Sequence, residues 1–361
     1  MPSLAGLNLL ELKEILIHLP SFRANQIYKW ILRGVSGFDQ MTDIPKSLRD
    51  NLKENFSLYS SAVVSCHEDN GARKIVIALK DGSKIESVLL SDNKKRLTAC
   101  LSTQAGCPIG CVFCKTGSLG FKRNLDSAEI VEQFIFLRTA AATSGAGKKD
   151  GNVNDNNVID NNVIINNIVI MGMGEPLLNL GNLRKAIETF NDPCGMNFSK
   201  RRITVSTCGI CDDLFDIAEN GPFIRLALSL TTADEQLRQK LMPVTKSNPL
   251  KKVKEALVLF QRNGGGRITL EIPLLGGINT RDTDALSIAE FAGGMDTVVN
   301  IIPWNPVASL EFEGKPLREP EKKETECFIK KLESCGLKVT KRLRKGRKVM
   351  GACGQLGCLS H

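Results

Sequence analysis

The sequence predicts an α/β protein, in which a partial (β/α)6 barrel follows a small helical domain. Helical spacing of apolar residues dominates the first 60 residues, and six apolar strand candidates then alternate with helical segments from residue 97 onward. The motifs with reactive side chains directly follow several of those strands. Repeated strand–helix units with buried strands are typical of a parallel sheet, and such folds bind ligands beyond the carboxyl ends of the strands.

Residues 1–60 are predicted to form the small N-terminal helical accessory domain. Apolar residues recur at helical spacing over 9–19, and a proline follows that segment. A second helix is predicted over 24–32, and Gly34 follows it as the expected C-terminal cap. We therefore expect a compact helical unit in front of the barrel.

Residues 61–95 are predicted as a β-hairpin linker, because alternating apolar stretches flank a turn at Asp81–Gly82. The barrel core is predicted over 96–345, and a C-terminal loop over 346–361. Within the core, 143–167 is rich in Asn, Gly and Asp, which is typical of a surface insertion rather than of packed structure. We assign no function to that insertion.

Each of the six predicted barrel units begins with an apolar strand. The strand candidates are 97–101, 167–171, 202–206, 224–230, 267–272 and 297–302. The helical segments that separate them include 127–138, 181–190, 250–263 and 282–291. Because the carboxyl ends of parallel strands share one edge of the sheet, side chains that follow these strands are expected to meet there.

The composition excludes several classes of protein. The chain has 361 residues, 42% hydrophobic and 24% charged, as in an ordinary soluble protein. None of its apolar runs reaches the roughly 20 residues that a membrane span requires. The N-terminus mixes charges with apolar residues and lacks a signal-peptide cleavage site. We therefore expect a cytoplasmic protein without membrane contact, whose twelve cysteines indicate metal or redox chemistry rather than disulfides.

Basic residues are clustered along the chain, which has a net charge of +9. Seven of the eleven residues from Lys338 to Lys348 are Lys or Arg, and no acidic residue offsets them. Further basic runs lie at 94–96, 122–123 and 200–202. Any one of these runs is explained by a solvated face, but several runs beside the chemical motifs favour an RNA-binding rim around the active site.

Three cysteines with CxxxCxxC spacing stand out: Cys107, Cys111 and Cys114. Three thiolates on so short a loop can hold three irons of a cubane [4Fe–4S] cluster, and no fourth cysteine follows at a ferredoxin spacing. One iron would then stay open for a ligand. Cys208 and Cys211 form a further CxxC, but no second pair with zinc-like spacing accompanies it.

Five ordered motifs resemble the signatures of one family, the RlmN-type dual-specificity RNA adenine-C2 methyltransferases of the radical S-adenosylmethionine (SAM) superfamily. These motifs lie at 99–107, 172–179, 201–209, 300–306 and 352–356. The likeness runs from the helical N-terminal domain to the last ten residues. It implies the radical SAM partial (β/α)6 barrel, a TIM-like barrel, with one [4Fe–4S] cluster on the three cysteines and SAM on the open iron.

The resemblance also implies a reaction with two SAM molecules per turnover. The first would methylate Cys353, and a radical made from the second would remove hydrogen from that methyl group, so that the carbon adds to adenine C2. Cys100 would then release the product by forming a disulfide with Cys353. Glu86 matches the family's proton acceptor, with one residue more than usual before Cys100. The alternative to these catalytic roles is that Cys100 and Cys353 are buried structural cysteines and that Glu86 lies on an exposed strand face.

Several positions match the family's contacts to SAM. These are Gly174, Glu175, Ser206, Ser229, Leu230, Thr231 and Asn305. Two departures from the family pattern stand out. Thr231 occupies the place of a usual histidine, so an imidazole contact is lost. The segment 346–350 is basic where the family has an acidic run, which bears on the choice of RNA and on the movement of the loop.

The resemblance implies 23S ribosomal RNA and tRNA as partners, together with an external electron donor such as flavodoxin or ferredoxin, and we expect a monomer. The alternative within this chemistry is a Cfr-like enzyme that methylates adenine C8. Outside it, an electron carrier would need a fourth cluster cysteine. A non-catalytic Fe–S, zinc or RNA-binding protein would not need the Gly172-Met-Gly-Glu-Pro motif.

Overall fold

A ten-stranded sheet organises the chain in a computed structural model that describes residues 3–145, 163–308, 310–342 and 345–357. In chain order, the strands are β1 (Ala62–Asp69), β2 (Ala72–Ala78), β3 (Lys84–Ser91), β4 (Leu97–Leu101), β5 (Gln104–Gly106), β6 (Phe121–Asn124), β7 (Ile165–Ile170), β8 (Ile203–Thr207), β9 (Arg225–Ser229), β10 (Ile268–Leu274), β11 (Thr297–Pro303), β12 (Glu311–Phe312), β13 (Lys315–Pro316) and β14 (Val339–Lys341).

Helices cover the parallel part of the sheet and form the N-terminal region. They are α1 (Leu9–Ile15), α2 (Ser21–Arg33), α3 (Lys46–Asn55), α4 (Lys115–Ser118), α5 (Ser127–Gly145), α6 (Leu180–Asn191), α7 (Cys211–Asn220), α8 (Glu235–Leu241), α9 (Leu250–Arg262), α10 (Asp282–Ala292) and α11 (Lys322–Ser334). None of the helices in the described part of the chain is both long enough and apolar enough to cross a membrane.

The predicted fold class, an α/β partial barrel, is confirmed. The main sheet has the order β1-β2-β3-β4-β7-β8-β9-β10-β11-β14, and neighbouring strands from β4 to β14 are parallel. Consecutive buried apolar residues occur in β9 and β11, which explains why these strands read as continuous apolar runs, whereas β7 and β8 alternate buried apolar with partly exposed residues. The barrel stays open because β4 pairs with the antiparallel β3 and not with β14.

Residues 61–95 contribute more to the sheet than a hairpin linker would. The turn at Asp81–Gly82 is present between β2 and β3, and Gly82 has the positive φ of 80° that such a turn needs. A further strand, β1, pairs with β2 in antiparallel fashion, and β3 pairs with β4 through Val88 opposite Cys100. The three strands therefore extend the barrel sheet and lie beside a candidate catalytic cysteine.

The N-terminal helices follow the predicted pattern with one shorter element. Asn8 and Glu11 form a capping box at the start of α1, with the Asn8 side chain accepting from the Glu11 N–H at 2.9 Å. The helix ends at Ile15 and not at residue 19. A turn follows it, in which the Leu19 N–H donates to the Leu16 carbonyl oxygen. Helix α2 ends as predicted at Gly34, whose φ is 87°.

The insertion predicted at 143–167 lies largely outside the described residues. Helix α5 continues to Gly145 before it, and β7 begins at Ile165, two residues earlier than the strand predicted at 167–171.

A buried carboxylate joins the N-terminal region to the barrel. Glu132, on α5, accepts hydrogen bonds from the Ser60 N–H at 2.6 Å, the Ser61 N–H at 3.0 Å, both of those hydroxyls, and the Ser3 hydroxyl at 3.2 Å. Burial raises the pKa of Glu132 to about 6, which leaves the carboxylate ionised at neutral pH. The serine N–H and O–H donors thus meet the ionised carboxylate of Glu132, which can only accept hydrogen bonds.

We expect Glu132→Gln to weaken this junction, because the amide would place a donor against several donors. An unsatisfied buried group of this kind costs about 1–3 kcal/mol. The measurement is the free energy of unfolding in urea, with Glu188→Gln on the exposed face of α6 as the matched control. Equal stabilities for the two variants would contradict the role given to Glu132.

Candidate active site

A cleft at the carboxyl ends of the parallel strands, called here the strand-end cleft, brings most of the predicted site residues together. Those that line it are Cys107, Cys111, Cys114, Gly174, Glu175, Ser206, Ser229, Asn305 and Cys353. Leu230 and Thr231 do not line it. Leu230 is buried in the hydrophobic core, and Thr231, at a φ of 64°, offers its backbone oxygen to Asn279 at 2.8 Å.

The three-cysteine loop connects β5 to α4 beneath an apolar cover. Ile109 and Phe113 of the loop pack with Trp304, whose indole N–H donates to the Phe113 carbonyl oxygen at 2.9 Å. The thiols of Cys107, Cys111 and Cys114 are all free. They lie near enough for their charges to interact.

The electrostatics of this loop suit a positively charged inorganic group. Burial raises the pKa of all three thiols, to about 12 for Cys107, and the neighbouring thiolates raise the pKa of Cys111 further. Such thiols deprotonate when a metal centre supplies compensating charge. Among the described residues, no three His, Cys, Asp or Glu side chains converge on a single ion position. Three free thiols on one short loop are the kind of donor set that an iron–sulfur cluster takes from a protein.

The Gly174–Glu175 pair is fixed against β5 and β8. A Cβ at Gly174 would lie 2.5 Å from the Gln104 Cβ, and its φ is 101°, so the position requires glycine. The buried Glu175 carboxylate accepts from the Cys208 N–H at 2.8 Å and the Leu177 N–H at 3.1 Å. Burial raises the pKa of Glu175, and these hydrogen bonds lower it.

Asn305 and Ser206 both present polar groups to the cleft. The Asn305 amide donates to the Cys353 carbonyl oxygen at 3.2 Å, while its own buried oxygen has no hydrogen-bond partner in the described part of the chain. The Ser206 hydroxyl donates to Glu271 at 3.3 Å. An unsatisfied acceptor is what a ligand with amino or hydroxyl donors, such as SAM, would complete.

Glu271 is a cleft residue that the sequence analysis missed. It lies within β10, is 7% exposed, and also accepts from the Asn300 amide at 3.5 Å. A carboxylate inside an otherwise apolar strand was the available signal, because a charged residue is rarely buried without a partner or a function.

The C-terminal segment, defined as residues 351–357, is fastened across the cleft. The Lys115 N–H donates to the Gly354 carbonyl oxygen at 2.8 Å, and the Thr116 hydroxyl donates to the Leu356 carbonyl oxygen at 2.7 Å. The Gly357 N–H donates to the Glu86 carboxylate at 2.6 Å. These contacts hold Cys353 above the three-cysteine loop.

Glu86 itself lines neither the strand-end cleft nor the neighbouring cavity. It is fully buried, and its other carboxylate oxygen accepts from the Lys74 ammonium at 2.8 Å. Both oxygens are thus engaged, so in this conformation Glu86 acts as an anchor for the C-terminal segment.

Cys353 lies between two spaces. It lines the strand-end cleft and also a neighbouring cavity that Cys100, Met171 and Arg342 line. Both Cys100 and Cys353 are free thiols here. The candidate methyl carrier therefore shares one space with the cluster cysteines and the other with the candidate resolving cysteine.

The described residues of the basic run, 338–342 and 345–348, do not form one uniform surface. Its first part is strand β14, and Arg342 and Lys345 line the cavity beside Cys100. Arg347 forms an ion pair with Glu319 at 2.8 Å. Part of the run thus belongs to the site, where Arg342 lies near enough to Cys100 and Cys353 to interact with their charges.

The thiol of Cys100 is protonated in this conformation. Burial and the neighbouring Cys353 raise its pKa to about 12, although Arg342 opposes that shift. We expect iodoacetamide at pH 8 to modify the exposed Cys194 and Cys327 and to leave Cys100 unmodified until the protein unfolds. Peptide mass spectrometry over a time course measures this, and early labelling of Cys100 would contradict the buried, protonated state.

The fold and the three-cysteine loop define the class of this protein, the radical SAM enzymes. The model described as the Radical SAM superfamily matches residues 157–287, and the model for the ribosomal RNA large subunit methyltransferase N-terminal domain matches residues 3–58. The structure is similar to a crystal structure of a radical SAM methyltransferase from Sphaerobacter thermophilus, with a TM-score of 0.89, 32% identity and 99% coverage of both chains.

Curated relatives narrow the class to one family. A probable dual-specificity RNA methyltransferase RlmN from Treponema denticola is 44% identical over 93% of this chain and 90% of its own length. The dual-specificity RNA methyltransferase RlmN from a Nitratiruptor species is 37% identical over 95% and 94%, respectively. The chain belongs to the RlmN family of dual-specificity RNA methyltransferases, as the five motifs predicted.

Proposed function

We propose that this protein methylates carbon 2 of one adenine in 23S ribosomal RNA and of the adenine beside the anticodon in tRNAs. The observation that carries the proposal is the position of Cys353 between the three-cysteine cleft and the cavity of Cys100. A single methyl carrier in that position can exchange groups with SAM on one side and with an RNA base on the other. The site of action is then the cytoplasm.

Cys107, Cys111 and Cys114 would hold the [4Fe–4S] cluster, which when bound supplies the electron that cleaves SAM. The buried Asn305 oxygen and the Glu175 carboxylate supply acceptors for the donors of SAM. An external protein such as flavodoxin or ferredoxin would deliver the electron. Two SAM molecules are needed per turnover, because one gives its methyl group and the other gives the radical.

Cys353 takes the methyl group by direct displacement. Its thiolate attacks the methyl carbon of SAM, the bond from that carbon to the sulfonium breaks, and the electron pair leaves on the sulfur of S-adenosylhomocysteine. The thiol proton leaves before the attack, and the Arg342 guanidinium lies in the same cavity as Cys353. Asn305, bonded to the Cys353 backbone oxygen, holds the residue in place.

Cys100 releases the product. The radical adduct first becomes closed-shell by losing its C2 proton to a base and one electron, which the oxidised cluster would accept. The Cys100 thiolate then attacks the Cys353 sulfur, the S–S bond forms, the bond from that sulfur to the methylene carbon breaks, and the electron pair passes to that carbon, which takes a proton. An external dithiol then reduces the disulfide. The proton acceptor for C2 stays a prediction for Glu86, and that role requires Glu86 to exchange its bond to the Gly357 N–H.

RNA mass spectrometry tests the proposal. The gene is expressed in a bacterial strain that lacks its own enzyme of this kind, and 23S ribosomal RNA and tRNA are digested to nucleosides. We expect 2-methyladenosine in both RNAs, and none when Cys353→Ala is expressed. 8-Methyladenosine would assign the chain to the Cfr-like alternative, and an absence of both nucleosides would contradict RNA methylation.

A further inference from the structure

Arg238, on α8, is a completely buried arginine beneath the strand-end cleft. Its Nε donates to the Leu230 carbonyl oxygen at 2.9 Å, and its Nη1 donates to the Thr245 hydroxyl at 2.7 Å. Its Nη2 donates to the carbonyl oxygens of Cys208 at 2.6 Å and Ser229 at 3.2 Å. One side chain thus ties the segments that follow β8 and β9, which carry several of the predicted SAM contacts.

The charge of this guanidinium is not balanced by a nearby carboxylate. No ion pair within 4.0 Å involves Arg238 in the described part of the chain, and Glu235 acts on it only at longer range. Its Nη2 is bonded to the Cys208 carbonyl oxygen at 2.6 Å, and Cys208 lines the strand-end cleft together with Cys107, Cys111 and Cys114. Isolated charges are costly inside a protein and are normally paired.

A loaded three-cysteine loop would provide the missing negative charge. Three thiolates outweigh the positive charge of an oxidised cubane core, so the site becomes anionic, and it becomes more so on reduction. A fixed cation nearby stabilises the reduced form more than the oxidised form, which raises the reduction potential. Arg238 is held by four hydrogen bonds and therefore cannot swing away from that charge.

We propose that Arg238 is the buried counter-ion of the cluster site and sets its reduction potential while holding the ends of β8 and β9 in place. The inference rests on the proposed cluster at Cys107, Cys111 and Cys114. It makes Arg238 a positioning residue, because hydrogen bonds to backbone oxygens and to Thr245 occupy its donors and it does not line the cleft.

Four variants separate charge from hydrogen bonding. Arg238→Gln removes the positive charge and keeps hydrogen-bond donors. Arg238→Lys keeps the positive charge but loses the planar set of guanidinium N–H donors. Thr245→Asp places a carboxylate against the guanidinium and neutralises it, and Thr245→Asn is its uncharged match. Arg281→Gln, which removes an exposed cation, controls for net charge.

The measurement is the midpoint potential of the reconstituted cluster without SAM, followed by electron paramagnetic resonance during a redox titration, together with iron content. We expect Arg238→Gln and Thr245→Asp to shift the potential to more negative values. Arg238→Lys, Thr245→Asn and Arg281→Gln should stay close to the wild-type potential. The Thr245 pair decides the question even if Arg238→Gln does not fold.

Two outcomes would overturn the inference. One is a wild-type potential in Arg238→Gln or Thr245→Asp with full iron content. The other is an equal shift in the charged and uncharged members of a pair, which would leave only a structural role. If the wild-type protein itself fails to take up a cluster, the proposed function is what fails, so the two failures are distinguishable.

Discussion

Cys100→Ala protein isolated from growing cells should carry RNA covalently attached to Cys353, whereas Cys353→Ala protein should carry none. The structure separates the two thiols by function: Cys353 lines both the strand-end cleft and the cavity beyond it, and Cys100 lines only that cavity. Loss of Cys100 leaves methylation of Cys353 and addition to adenine intact but removes the thiol that breaks the link. The expected change is from no detectable adduct to a stable one.

The adduct is measured on denaturing gels. A band of retarded protein should survive boiling in denaturant and collapse to the mobility of the free protein after nuclease treatment. Mass spectrometry should then find a modified nucleotide on the peptide that contains Cys353. Cys335→Ala, which removes another partly buried cysteine remote from the cleft lining, serves as the matched control and should show no retarded band.

The double variant Cys100→Ala, Cys353→Ala provides the decisive comparison. It should lack the adduct, because the link forms on the Cys353 sulfur. An adduct that persists in the double variant, or its absence in Cys100→Ala protein with a full iron content, would contradict the assigned roles of the two cysteines.

The sequence predicts the strand-end part of this site well, because parallel strands impose their own geometry. Once residues 97–101 and 297–302 are recognised as strands of one sheet, Cys107 and Asn305 must lie at the same edge. The structure brings both into one cleft. At Gly174 the motif indicated a contact to SAM, whereas the structure shows that glycine is required there for the close approach to β5.

Contacts between residues distant in the chain could not be predicted from the sequence. Gly357 bonds to Glu86 across 271 positions, and no periodicity or spacing encodes that pairing. Arg238 lies in a mostly polar segment, Glu235–Leu241, for which no element is predicted from the sequence, yet its side chain is completely buried. In both cases the side chain is buried by loops that pack over the strand ends. The hydrophobic pattern of a single helix or strand does not predict which loops will cover it.

Replacement of Cys107, Cys111 and Cys114 by Ala should remove essentially all bound iron and abolish formation of 5′-deoxyadenosine. The three thiols are the free sulfur ligands of one short loop, and burial keeps them neutral unless a metal centre supplies positive charge. Iron is measured by a colorimetric assay on anaerobically reconstituted protein, and 5′-deoxyadenosine by chromatography after reduction with dithionite and SAM.

Cys208→Ala is the matched control for that triple variant. Cys208 is a buried thiol that lines the same cleft. Its N–H donates to Glu175, its carbonyl oxygen accepts from Arg238, and its thiol also hydrogen-bonds to the Glu175 carboxylate. Removal of its sulfur keeps the two backbone bonds and loses only the thiol's bond to Glu175. We therefore expect Cys208→Ala to keep its iron, which is the readout that this control provides. If the triple variant retained the iron that Cys208→Ala lost, the cluster ligands would have to be reassigned to the CxxC of Cys208 and Cys211. Because both variants remove thiols that line one cleft, a loss of iron confined to the triple variant reports ligation and not a general loss of packing.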